Sequence, residues 1–88
     1  MSFLHSREHL NRRDTVIVNC SHQANIMVMS DSNFSNYQSG DQFQYHGGHY
    51  KRLPAQIPVP TSGNWNIVID LGGGSARISH SIQIRRAA

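Results

Sequence analysis

Six histidines, one cysteine and five carboxylates are the side chains from which this 88-residue chain would build catalytic or metal chemistry. His46 and His49 stand three apart around two glycines. Zinc takes three or four ligands, so His22, His80 or Asp41 would have to join them. The His-Gly-Gly-His step serves a turn without any metal and is read so. Cys20 ends the run Val16-Ile17-Val18-Asn19 with no base beside it in sequence, which suits a small buried thiol rather than a nucleophile. A glycosidase needs an acid and a base at a set separation. The acids here are Glu8, Asp14, Asp31, Asp41 and Asp70, and Asp31 and Asp70 read as turn-formers that close strands. No G-x-S-x-G elbow is present. Gly72-Gly73-Gly74-Ser75 lacks the lysine of a phosphate loop and leads into a strand, so it reads as a tight hairpin or bulge. The expectation is no catalytic residue, no metal site, no cofactor and no enzymatic activity.

Binding is the better supported chemistry. Tyrosine and tryptophan combine contact area with a polar handle. Phe34, Tyr37, Tyr45, Tyr50 and Trp65 stand among Asn33, Asn36, Gln42 and Gln44. Trp65 and Phe34 are assigned to the core. The candidate ligand- or partner-binding residues are Asn33, Asn36, Tyr37, Tyr45, His46, His49 and Tyr50. The net charge is +3, from Arg7, Arg12-Arg13, Lys51-Arg52, Arg77 and Arg85-Arg86. These are scattered where a nucleic-acid binder shows a dense patch. Folding could gather Arg12, Arg13, Arg85 and Arg86, but a solvated surface is the favoured reading, and nucleic acid is disfavoured as a partner.

The elements that must position these residues are strands. Residues 65–71 (WNIVIDL), rich in aromatic and β-branched side chains, lie between a Pro-Ser-Gly turn and three glycines. Residues 14–20 place Val16, Val18 and Cys20 on one face. Residues 24–30 carry Ile26-Met27-Val28-Met29, and the two segments read as a hairpin. Residues 31–40 (DSNFSNYQSG) read as a turn-rich loop. Residues 41–46 alternate Phe43 and Tyr45 with glutamines as a half-buried strand that Gly47-Gly48 breaks. Residues 49–59 form an edge strand punctuated by Pro54 and Pro58. Residues 76–84 set Ile78, His80, Ile82 and Ile84 on one face. Residues 6–13 are at most a turn or one helical turn. Strand signals at intervals of about 8–12 residues predict an all-β, single-domain antiparallel β-sandwich over residues 1–88, of about seven to eight short strands and jelly-roll-like. The inward set is Val16, Val18, Ile26, Val28, Phe43, Ile57, Ile67, Ile69, Ile78 and Ile82.

Three blocks carry a family likeness: NIMVMSDSNFSNYQSG at 25–40, YHGG at 45–48 and VPTSGNWNIVIDLGGG at 59–74. With them the chain resembles the bacterial domain-of-unknown-function family numbered eighteen eighty-three. The resemblance implies a small β-sandwich, found alone or ahead of a TIR-type domain. It assigns no activity and no catalytic residues. No TIR-like segment follows within these residues, which weakens a signalling role by association.

A chain of this size buries roughly 60% of its unfolded surface, enough for one thin core. A single cysteine suits a reducing compartment. The N-terminus lacks the apolar region of a signal peptide, and no run approaches the ~18 apolar residues of a membrane span. A cytoplasmic location away from the membrane is expected. The first functional expectation is a non-enzymatic interaction module. It would bind a protein partner or itself through sheet edges and the 31–40 and 46–51 segments. The second is a small-ligand or carbohydrate-binding module, and electrostatic nucleic-acid binding is third.

Overall fold

The computed structural model describes residues 3–70 and 79–87. Seven strands and one helix follow in the order β1 (Phe3–Leu10), β2 (Thr15–Cys20), β3 (Ala24–Ser30), α1 (Asp31–Ser39), β4 (His46–Tyr50), β5 (Ala55–Pro58), β6 (Gly63–Asp70) and β7 (His80–Arg85). One sheet has the order β1-β6-β3-β4 and the other β5-β2-β7, every pair antiparallel. The described residues form an all-β sandwich of four strands on three.

The two sheets enclose Leu10, Val16, Val18, Ile26, Val28, Ile57, Trp65, Ile67 and Ile69. Of the expected inward set, Val16, Val18, Ile26, Val28, Ile57, Ile67 and Ile69 are buried, and half-buried Ile82 packs against them. Phe43 is half-buried in a second cluster, and Ile78 lies outside the described residues, as do the glycines 72–74. That second cluster holds Met27, Met29, Val68 and Tyr37, with Phe3, Phe34 and Phe43 against it. It lies on the outer face of the larger sheet, beneath α1. Strands covered on both faces read as continuous apolar runs, because alternate residues all find cover. This is why Ile26-Met27-Val28-Met29 and Ile67-Val68-Ile69 do not alternate with polar residues.

Five local expectations are corrected. Residues 31–40 are a helix, not a loop. Ser30 accepts the Asn33 amide at its Oγ as N-cap, and Gly40 ends the helix at φ 81°. Ser, Asn, Asp and Gly serve helix caps as well as turns, and the burial of Tyr37 on the sheet selects the helix. Residues 6–10 are strand, because β1 pairs along its whole length with β6, from Phe3 opposite Asp70 to Leu10 opposite Gly63. β2 and β3 are no hairpin: residues 21–23 carry the chain from one sheet to the other. The strand expected at 41–46 begins only at His46, and Gly47 and Gly48 lie within it, opposite Met27 and Ile26. Gly47 has φ 118°, and a Cβ there would run into the Ile26 carbonyl. The glycines let β4 pair closely with β3 instead of ending it. The expected long strand at 49–59 divides between the end of β4 and β5.

Candidate functional site

β3 runs to Ser30, two residues beyond Val28, where its pairing with β4 starts at His46. The chain returning from α1 crosses the gap through residues 41–45. Asn33 fixes this crossing. Its Oδ1 accepts the Gln44 amide at 3.0 Å and its Nδ2 donates to Ser30 Oγ at 3.0 Å. An open cavity of about 440 Å³ results, lined by Met29, Ser30, Asn33, Phe43, Gln44, Tyr45, His46 and Trp65. A second of about 630 Å³ adjoins it and shares Asn33, Phe43, Gln44 and Tyr45, with Gln42 and Asp41 on its rim. Together they make one trough.

The rings along the trough pass from buried to wet. Phe43 lies 5.1 Å from Tyr37 and 5.6 Å from Tyr45, centroid to centroid. Tyr37 is 7% exposed and Tyr45 is 46% exposed, the exposed large apolar side chain among the described residues. His46 sits edge-on to Trp65 at 5.7 Å. The Trp65 Nε1–H donates to the Thr61 carbonyl at 3.0 Å, which fixes the indole. A flat exposed ring flanked by glutamine, asparagine and histidine can stack on a ligand and hydrogen-bond its edges.

Of the seven expected site residues, Asn33, Tyr45 and His46 come together here. The others do not. Tyr37 is buried, and its hydroxyl donates to Asp70 Oδ2 at 2.6 Å. Burial and then the Asp70 carboxylate push its pKa up. Tyr50 is half-buried against the main core. Asn36 is half-buried, and its carbonyl accepts the Asp41 amide at the helix end. His49 turns to Asn25 and Gln23, at 3.2 and 3.3 Å, away from the neighbours of His46. Among the described residues no three His, Cys, Asp or Glu side chains converge as metal ligands.

Sequence reasoning left Trp65 and Gln44 out of the site. Trp65 was assigned to the core, which is correct for most of its surface, but one edge lines the trough. Only the β3–β4 register reveals that edge. The same is true of Cys20, whose strand partner is His80. They share a shallow cavity of about 370 Å³ with Asn19, Ser21, Ser79 and Ser81. The thiol points to the His22 carbonyl at 3.0 Å.

Two polar clusters brace the scaffold. On the outer face, buried Asn66 donates from Nδ2 to Asp31 Oδ1 at 2.8 Å and to the Met29 carbonyl at 3.4 Å. This leaves its Oδ1 to accept from His5 Nε2 at 2.8 Å. Asp31 also takes a forked pair from Arg7 at 3.0 and 2.8 Å. The Arg7 and then the Asn66 hydrogen bonds hold the Asp31 carboxyl down at about 2. The second cluster surrounds buried Asp14, which accepts from the Ala87 and Asn11 amides and from Arg86 at 2.8, 2.9 and 2.9 Å. Those bonds, Ala87 first, lower its pKa.

No helix among the described residues is long and apolar enough to cross a membrane. Neither the comparison with curated proteins nor that with solved structures gave a match. A family model does match, over residues 1–88, and it carries no assigned activity. The sandwich expected of that family is the one built here, and the chain belongs to the family described as Domain of unknown function (DUF1883).

Proposed function

We propose that this protein is a non-enzymatic binding module whose recognition surface is the Tyr45 trough, and that the ligand is a saccharide. The observation that carries the reading is the exposure of Tyr45, 46%, amid the amide side chains of Gln42, Gln44 and Asn33. The apolar face of a sugar ring stacks on an aromatic ring, while its hydroxyls need donors and acceptors at the rim. The trough is supported by fixed neighbours, the Asn33 bridge and the anchored indole, so little ordering is required on binding. The test is a glycan array of neutral and acidic oligosaccharides, probed with the protein and with Tyr45→Ala. A bound glycan also raises Tm, by an amount equivalent to about 2.7 kcal/mol at a hundredfold excess over Kd. Binding that Tyr45→Ala abolishes supports the reading. No bound glycan, or equal binding by the variant, overturns it.

A protein partner or a second copy of the chain is the second reading. It is favoured by β4, which ends its sheet with exposed residues and no further strand among those described. An extended segment adds to such an edge through main-chain hydrogen bonds. Light-scattering chromatography across a wide concentration range tests self-pairing: a mass that rises toward a defined dimer supports it, and a constant monomer mass excludes it.

A further inference from the structure

The trough opens at one end of the sandwich, and the fold gathers four arginines at that same end. Register sets the placement. β6 starts there with Gly63 opposite Leu10, and β3 finishes there with Ser30 opposite Trp65. β7 finishes there too, with Arg85 opposite Thr15. Arg12 and Arg13 occupy the β1–β2 turn. That turn is tightly held: the Arg12 amide donates to Ser62 Oγ at 2.8 Å, and the Arg13 amide to the Val59 carbonyl at 3.0 Å. Arg13 stands at φ 75°, a left-handed conformation uncommon for a side-chain-bearing residue, which these bonds maintain.

Asp14 completes the arrangement. It is the one carboxylate inside this turn, it is 1% exposed, and it binds the segment 86–87 to the turn. Its charge is enclosed, while Arg12, Arg13, Arg85 and Arg86 are all exposed. Arg86 pairs with Asp14 and Arg85 with Gln56, but the Arg12 and Arg13 guanidinium groups have no partner among the described residues. The positive charge therefore faces outward. The turn that carries it is tied to the wall of the trough: the Trp65 indole donates to the Thr61 carbonyl, and the adjacent Ser62 accepts the Arg12 amide.

Resting on the saccharide reading above, we infer that the ligand is an acidic glycan, with a sugar ring on Tyr45 and its carboxylate or sulfate groups on Arg12 and Arg13. Guanidinium forks match such planar or multi-oxygen anions in two parallel hydrogen bonds. A single exposed ring beside amide side chains fits a sugar chain better than single-stranded nucleic acid, which stacks successive bases on several rings.

The experiment compares dextran sulfate and polygalacturonate with neutral dextran and with oligo-dT by calorimetric titration at two salt concentrations. Arg12→Gln/Arg13→Gln is set against Arg52→Gln, an exposed control just past β4, and against Tyr45→Ala. The expected result is binding of an acidic polymer, weakened by salt, and weakened at least tenfold by the Arg12/Arg13 double variant and by Tyr45→Ala, with Arg52→Gln unchanged. Circular dichroism and Tm establish that each variant is folded. Equal binding of neutral dextran, equal loss in Arg52→Gln, tighter oligo-dT binding, or no acidic polymer bound each overturns the inference. Neutral binding lost in Tyr45→Ala alone would overturn the acidic ligand and leave the saccharide trough standing. Acidic binding indifferent to Tyr45→Ala would overturn both.

Discussion

At Gly47 one hydrogen atom in place of a methyl group decides whether β4 can pair. Its φ of 118° is one that side-chain-bearing residues rarely adopt, and a Cβ would meet the Ile26 carbonyl and the Ile57 side chain. Gly47→Ala is therefore expected to cost about 1–3 kcal/mol by chemical denaturation. Because His46 adjoins it, the variant should also loosen the trough. Tyr37 makes the opposite kind of contribution. Its hydroxyl is enclosed and donates to a carboxylate, so Tyr37→Phe should cost about 1 kcal/mol. The pH dependence of that cost has a definite sign. Burial and Asp70 raise the folded pKa above the usual 10, so the hydroxyl's contribution is present below pH 10 and declines as the unfolded chain ionises above it. The stability gap between the protein and Tyr37→Phe should narrow from pH 9 to 11. Residue types announced both aromatics, but not their fates. Tyr37 and Tyr45 stand in similar polar surroundings in the sequence, and only the turn of α1 sends one inward and leaves the other on the far side of Phe43.

The strands were legible where a buried face imposes alternation or a continuous apolar run, as in β2, β3 and β6. They were illegible where pairing is supplied by a distant partner. β1 carries four charged or ionisable side chains within five residues, His5, Arg7, Glu8 and His9, yet it is extended because β6 supplies its hydrogen bonds. α1 was misread because the capping residues of a helix are also the favoured residues of turns. That overlap makes the cap a useful point of intervention. Ser30 Oγ accepts from the Asn33 amide and side chain at 3.3 and 3.0 Å. Ser30→Ala should destabilise by about 0.5–2 kcal/mol, and it should weaken saccharide binding as well, because Asn33 positions Gln44. Ile67→Ala tests the other layer. Ile67 is fully buried between the sheets, and its truncation should cost about 2–5 kcal/mol without altering α1. Hydrogen exchange that rises across α1 in Ser30→Ala and across β6 and its neighbours in Ile67→Ala would separate the two layers. The reverse pattern would show that the packing assignment is wrong.

For the whole molecule, the two braced carboxylates tie together different sets of elements, and both lose their partners in acid. Asp31 joins β1 to α1 through Arg7 and to β6 through Asn66. Asp14 joins the β1–β2 turn to the residues that follow β7. Each is held below the ordinary carboxylate range, Asp31 at about 2. A carboxyl whose folded pKa is depressed contributes stability that is complete above its unfolded value, near 4, and lost as pH falls through the folded value. Tm should thus change little between pH 7 and 5 on account of these groups and fall between about pH 4 and 2. Asp31→Asn and Asp14→Asn should each lower Tm at pH 7 and flatten the acid limb, because the variant has less to lose. Added salt should weaken the Asp31 contribution more. Its partner Arg7 is half exposed, whereas Asp14 is enclosed and bound chiefly by backbone amides. Asp14→Asn has a further consequence that Asp31→Asn lacks. It releases Arg86 and the chain beside it from the turn that carries Arg12 and Arg13, so the arginine end should lose affinity for dextran sulfate while the Tyr45 trough is left intact. An Asp14→Asn protein that binds the acidic polymer as tightly as the parent would show that the arginines do not need this carboxylate to form their surface.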